Sequence, residues 1–223
     1  MSSLKARAAC IGLGGSFSVV HDFFGHVTQP GGLSLRTQLD LLTKSRIDIN
    51  VIRVGIDQMT TANVTEIDAA VRDTRAIYAT RGLSIGRVFH WDITTAQAGG
   101  AEHIGGDDEA IDLADDWGVE NDALDVFFVL TYAGTTIGLS AVDGPCDKED
   151  SKDMEGSVVA IEGDVATTPI VLAHEVGHYL GLEHVDDATR LMNPTVPNGG
   201  TLTAGEGSNM RDHCFVKGAC PPA

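Results

Sequence analysis

Residues 174–184 read H-E-V-G-H-Y-L-G-L-E-H, a short distance after Thr168-Pro169. A threonine followed by proline suits a helix start, because the hydroxyl can cap and the ring fits the first turn. On a helix, His174 and His178 stand one turn apart and project from one face, so two imidazole nitrogens can converge on one ion. Gly181 follows one turn later. Glycine enters the left-handed conformation without penalty, so the chain can turn there and return His184 as a third ligand. Three protein ligands leave one position free, the pattern of a catalytic rather than a closed structural zinc site. Glu175 is placed to take the proton of a metal-activated water instead of ligating. The residues therefore predict zinc-dependent hydrolysis of peptide bonds, with His174, His178 and His184 as ligands and Glu175 as general base.

The signal is specific. H-E-x-x-H arises by chance in a chain of this length roughly a few times per hundred, and the added glycine and histidine reduce that to roughly one in ten thousand. The rival reading is a non-catalytic zinc-binding module that recognises a peptide, in which Glu175 would be idle. An aminopeptidase with a distant glutamate ligand is disfavoured, since His184 already fills that role.

Outward from the motif, Ile47, Ile49 and Val51, then Ile52, Val54 and Ile56, read as a buried strand. Asn63 with Glu66 suggests a helix start, and Val64, Ile67, Val71 and Tyr78 carry the helix to about Thr80. Leu83 to Trp91 suits a second strand and Asp107 to Trp117 a short helix with an acidic first turn. Val126 to Leu130 is a central strand, Thr135 to Val142 a more exposed one, and Gly156 to Ile161 another. A last helix from Thr203, with Glu206 three residues on, runs to about Cys214. This order predicts an α+β fold with an α/β-like layer and a mixed twisted sheet. Residues 1–45 read as an N-terminal extension, a pro-segment being one interpretation, and 46–223 as the catalytic domain.

The motif residues resemble the zinc-binding consensus of the metzincins, as His174-Glu175-x-x-His178-x-x-Gly181-x-x-His184. Leu191-Met192-Asn193-Pro194 looks like the methionine turn of that family, with the spacing from the third histidine seen in matrixins. The resemblance implies a metzincin-like catalytic domain with an active-site helix and a short C-terminal subdomain, 185–223. It implies Met192 as a structural floor under the site, although plain core filler would serve the same residue type. It also implies an endopeptidase whose edge strand, here Thr135 to Val142, pairs with an extended substrate, and a pocket walled by Pro194 to Pro197. Departures limit the assignment. The tyrosine that follows the turn in astacin-like and serralysin-like members is replaced by Asn193 and Pro194. No cysteine-switch heptapeptide occurs, and matrixin structural-zinc and calcium motifs are missing.

The chain has 223 residues with a formal net charge of −17. That charge repels phosphate backbones and anionic lipid, so nucleic acid and membrane surfaces are poor partners and a protein or peptide substrate is expected. A monomer is expected. The start, Met1 to Val20, only weakly resembles a signal peptide, and a secreted or extracellular location is the expectation. Cys10, Cys146, Cys214 and Cys220 form no C-x-x-C pair; Cys214 and Cys220 are close enough in sequence to close a small loop. Asp143, Asp147, Glu149, Asp150 and Asp153 would suit calcium, but Lys148 and Lys152 dilute the charge and a solvated loop is the favoured reading. His90, Asp92 and His103 have irregular spacing for a second metal, and His21, His26 and His213 have no partner pattern.

Overall fold

In the computed structural model of the protein, residues 21–22, 25–26, 43–148, 154–161, 166–196 and 198–219 are described. The elements are β1 (His21–Asp22), β2 (Gly25–His26), β3 (Ser45–Val54), α1 (Thr61–Ala79), β4 (Leu83–Ile93), α2 (Thr95–Ala98), β5 (His103–Ile104) and α3 (Asp107–Asp116). They continue with β6 (Leu124–Val129), β7 (Thr131–Tyr132), β8 (Gly138–Ser140), β9 (Gly156–Ala160), α4 (Thr168–Tyr179) and α5 (Ala204–Asp212).

The main sheet has the order β4-β3-β6-β9-β8. The first four strands run parallel, and β8 pairs antiparallel with β9 at the edge. Parallel strands need crossovers, and the long α1 between β3 and β4 supplies one. The strands carry apolar side chains on both faces, as a doubly covered sheet requires. Ile49, Val51, Leu124, Val126, Phe128 and Val159 face α1 and α4. Ile52, Val54, Phe127, Val129, Val158 and Ala160 face α3, whose Ala110, Leu113 and Ala114 pack there. The expected α+β layer with a mixed sheet is therefore the architecture.

Local predictions shift by less than a turn. The cap of α1 is Thr60, which accepts from the Asn63 amide, while Asn63 is its reciprocal capping-box partner. Glu66 instead lies buried and accepts from the Thr168 hydroxyl at 2.5 Å. The expected strand Thr135 to Val142 contracts to three residues, Gly138–Ser140. The last helix is capped by the Thr203–Glu206 box as expected, but ends at Asp212.

Helix α4 is the interior element. Every residue in it except Ile170 is buried. Three side chains of α1 reach it: Tyr78 donates to the Ala173 carbonyl at 2.8 Å, Thr74 donates to the Pro169 carbonyl at 3.0 Å, and Glu66 receives Thr168. Each anchor stabilises by about 1 kcal/mol, and together they fix the helix in rotation as well as position.

Candidate metal centre

Two elements supply the site: α4 and the chain that reverses after it. Gly181 has φ of 88°, which only glycine adopts freely, and its amide bonds the His178 carbonyl at 2.8 Å. Beyond this turn His184 folds back. The three Nε2 atoms then stand 3.1 Å (His174–His184), 3.0 Å (His178–His174) and 3.0 Å (His178–His184) apart.

The other nitrogens show what this triangle is for. His174 Nδ1 bonds the Leu191 carbonyl at 2.8 Å, and His178 Nδ1 bonds the Leu182 carbonyl at 2.7 Å. A carbonyl only accepts, so each Nδ1 carries the proton and each Nε2 presents a bare lone pair. Lone pairs facing one another at 3 Å repel unless a cation lies between them. Tetrahedral zinc at about 2.0–2.1 Å from nitrogen puts its ligands about 3.3 Å from one another, close to what is seen. The residues fit zinc. Burial also keeps the rings neutral: it lowers the His174 pKa, and with His174 alongside it brings His178 down to about 4.

Glu175 points from α4 toward the sheet edge, and burial alone pushes its carboxyl up to about 8. It lies against Gly138 of β8, where a Cβ would fall 2.7 Å from its Cγ and Oε1. This glycine was not singled out from sequence; a lone glycine in a short strand is the signal that a neighbour approaches closely. Gly177 is a second such signal, since glycine inside a helix is otherwise unfavourable. A Cβ there would lie 2.9 Å from Met192 Sδ. Met192 is fully buried and packs under the helix between the two histidine turns.

The segment carrying Met192 is firmly tied. Val185 N donates to the Met192 carbonyl at 2.9 Å, and Leu191 N to the Thr201 carbonyl at 2.8 Å. Asn198 donates to the Leu191 and Asn193 carbonyls at 3.0 and 3.2 Å. Arg190 pairs with Glu206 at the start of α5. Leu191, whose carbonyl orients His174, is thus held from several directions.

Other sequence candidates fall elsewhere. His90 and His103 join no group of three metal-capable side chains among the described residues, nor do Asp143 and Asp147. Calcium is not supported; Glu149, Asp150 and Asp153 lie outside the described residues. Of the pairings the sequence leaves open, Cys214 is bonded to Cys146, with Cα atoms 6.0 Å apart across 68 residues of sequence, and not to its near neighbour Cys220. Cys10, Cys220 and Pro197 lie outside the described residues. No helix among the described residues is long and apolar enough to cross a membrane.

Comparison with curated proteins finds no match. Among solved structures, the chain is similar to metalloproteinase-II from Bacteroides fragilis, at a TM-score of 0.52 and 17% identity. The match covers 77% of this chain and 53% of that one, so the chain spans about half the length of that protein. At this identity the likeness speaks for the fold. A family model described as metallo-peptidase family M12 matches residues 49–217, a span that runs from within β3 through the rest of the sheet and the histidine triangle to beyond α5. The chain belongs to metallo-peptidase family M12.

Proposed function

We propose that this metallopeptidase is a zinc endopeptidase of the metzincin type, with His174, His178 and His184 as ligands and Glu175 as general base. The triangle of bare Nε2 atoms carries the reading, since among the described residues no group donates a proton to those lone pairs. Zinc held there supplies Lewis-acid polarisation of the scissile carbonyl and acidifies the attacking water. Glu175 takes up the proton released by the attack and returns it to the leaving amine. Its dry environment makes the protonated carboxyl stable enough to hold that proton between the two transfers. With a cation held by the three histidines, the resting Glu175 carboxyl would be drawn back toward the ionised form in which it can accept a proton.

The edge position of β8 supports pairing with an extended substrate. One side of the strand is bonded to β9, and no described strand pairs with its other side, the one proposed to receive main-chain hydrogen bonds. Such pairing selects extended chains in preference to free termini, which is what an endopeptidase requires. Met192 serves as a floor, and Pro194 to Pro197 as the wall of an adjoining pocket. Residues 1–45 are an extension, 46–223 the catalytic domain and 185–223 its C-terminal subdomain. The Cys146–Cys214 disulfide supports an extracellular setting.

The experiment is Glu175→Gln. Zinc content should remain at the wild-type level, and cleavage of internal bonds in a denatured-protein library should fall at least a thousandfold. Retained cleavage would remove Glu175 from the mechanism. Zinc bound with no cleavage by either protein would favour the peptide-recognition module.

A further inference from the structure

The three rings of the histidine triangle differ in what holds them. His178 Nδ1 bonds the Leu182 carbonyl at 2.7 Å, in the turn that follows its own helix. His174 Nδ1 reaches across to the Leu191 carbonyl at 2.8 Å. His184 makes its ring contacts through Nε2, and among the described residues nothing bonds its Nδ1. Its ring is therefore placed by the backbone beside it, where Val185 is tied twice to the turn at Met192. Val185 N donates to the Met192 carbonyl at 2.9 Å, and the Val185 carbonyl accepts from Asn193 Nδ2 at 3.4 Å. Two of the three rings thus depend on how the carbonyls of Leu191 and Met192 point.

One side chain orients that turn. Asn198 Nδ2 has two hydrogens and donates to two carbonyls, Leu191 at 3.0 Å and Asn193 at 3.2 Å. Its Oδ1 accepts from Gly200 N at 3.1 Å. The reversed amide would set an oxygen against two carbonyls and an NH2 against an N–H, so the donors face the turn. The two carbonyls flank that of Met192, which Val185 N holds, so successive peptide planes are fixed together. The bond from Leu191 N to the Thr201 carbonyl does not replace this, because that nitrogen belongs to the preceding plane. The Leu191 carbonyl has two lone pairs, and His174 and Asn198 take one each. Held from its second side, the carbonyl cannot swing away from the imidazole N–H.

We propose that Asn198 is a positioning residue for the metal centre, setting His174 through the Leu191 carbonyl and His184 through the turn at Met192, and leaving His178 to its own helix end. The proposal rests on the reading of these three histidines as zinc ligands. Asn198 touches no ligand ring and acts only through the carbonyls it holds.

The test compares full-length wild type with Asn198→Asp and Asn198→Ala. Aspartate has the same shape and keeps the acceptor for Gly200 N but has no donor, so a role as loop filler survives in it and the proposed role does not. Zinc affinity is measured by competition with a chromophoric chelator, and the ring N–H signals of isotope-labelled histidines are followed by NMR with and without zinc. Affinity should fall about tenfold to a hundredfold in both variants. The His174 Nδ1–H signal should shift and exchange faster with water, while that of His178 stays in place. Asn198→Ser, which keeps one donor, should show the same pattern at smaller size and carries the test if the other variants fail to fold. An unmoved His174 signal in Asn198→Asp overturns the proposal. Equal movement of the His174 and His178 signals also overturns it, because that is general loosening. Wild type that takes up no zinc would sink the zinc reading instead, and the signals of the metal-free protein would still decide the role of Asn198.

Discussion

Gly138 of the edge strand and Glu175 of the buried helix touch so closely that no side chain fits between them. The proposed general base is thus positioned by the strand proposed to receive substrate. Gly138→Ala should displace the carboxylate by several tenths of an ångström and lower kcat tenfold or more, about 1.4 kcal/mol of transition-state stabilisation. Zinc content should not change. Wild-type kcat in this variant would show that Glu175 tolerates displacement.

Gly177 tests the floor beneath the ligands. Gly177→Ala gains about 1 kcal/mol of helix propensity but drives a methyl toward Met192 Sδ, which must move. Because Leu191 orients His174, zinc affinity should weaken several-fold while the melting temperature holds or rises. Unchanged zinc affinity, measured by competition with a chromophoric chelator, would reduce Met192 to filler.

Removing the metal exposes a pH dependence whose sign is fixed by two groups. Glu175 is raised to about 8, so its contribution to stability is complete below its unfolded value and is lost as pH rises toward 8. His178 is lowered to about 4, so its contribution is lost as pH falls below 6.5. The two oppose each other below 6.5, and above it only Glu175 acts. Metal-free wild type should therefore lose about 1.5 kcal/mol between pH 6.5 and 8, and metal-free Glu175→Gln should not. Thermal melts of both chelated proteins across this range decide it.

Asp48 governs the acid limb. Its carboxylate is fully buried, which alone would raise its pKa, yet Arg87 and then Lys217 prevail and hold it below the ordinary value of 3.8. A depressed acid stabilises above its unfolded pKa and loses that contribution as pH falls through the folded one. Asp48→Asn should cost roughly 2–4 kcal/mol at neutral pH, because Arg87 and Lys217 lose their partner. It should also flatten the fall in stability below about pH 4, as followed by urea denaturation.

What was readable in the sequence divides by range. The histidine pair, the Gly181 turn and the return of His184 all lie within eleven residues, where helix geometry alone sets the distances. The apolar runs of β3, β6 and β9 were legible for the same reason. The Cys146–Cys214 bond was not, because it joins segments brought together only by the completed sheet and the C-terminal fold-back. Nor was the buried network in which Asn50 donates to Asp125 at 2.5 Å and accepts from the Trp91 indole at 3.0 Å. Those residues sit on three strands, and single-strand patterning records only that a polar residue interrupts an apolar run. Either Thr60 or Asn63 is a residue type that caps, so sequence alone does not choose between them, and the three-residue offset is settled in the folded chain.

The enclosure of α4 on all sides has an evolutionary corollary. A helix whose neighbours leave so little slack cannot be adjusted to suit a new substrate without unsettling the interior of the whole molecule. Diversification among descendants of this chain is therefore channelled to exposed turns such as Asp186 to Thr189, where insertions are tolerated.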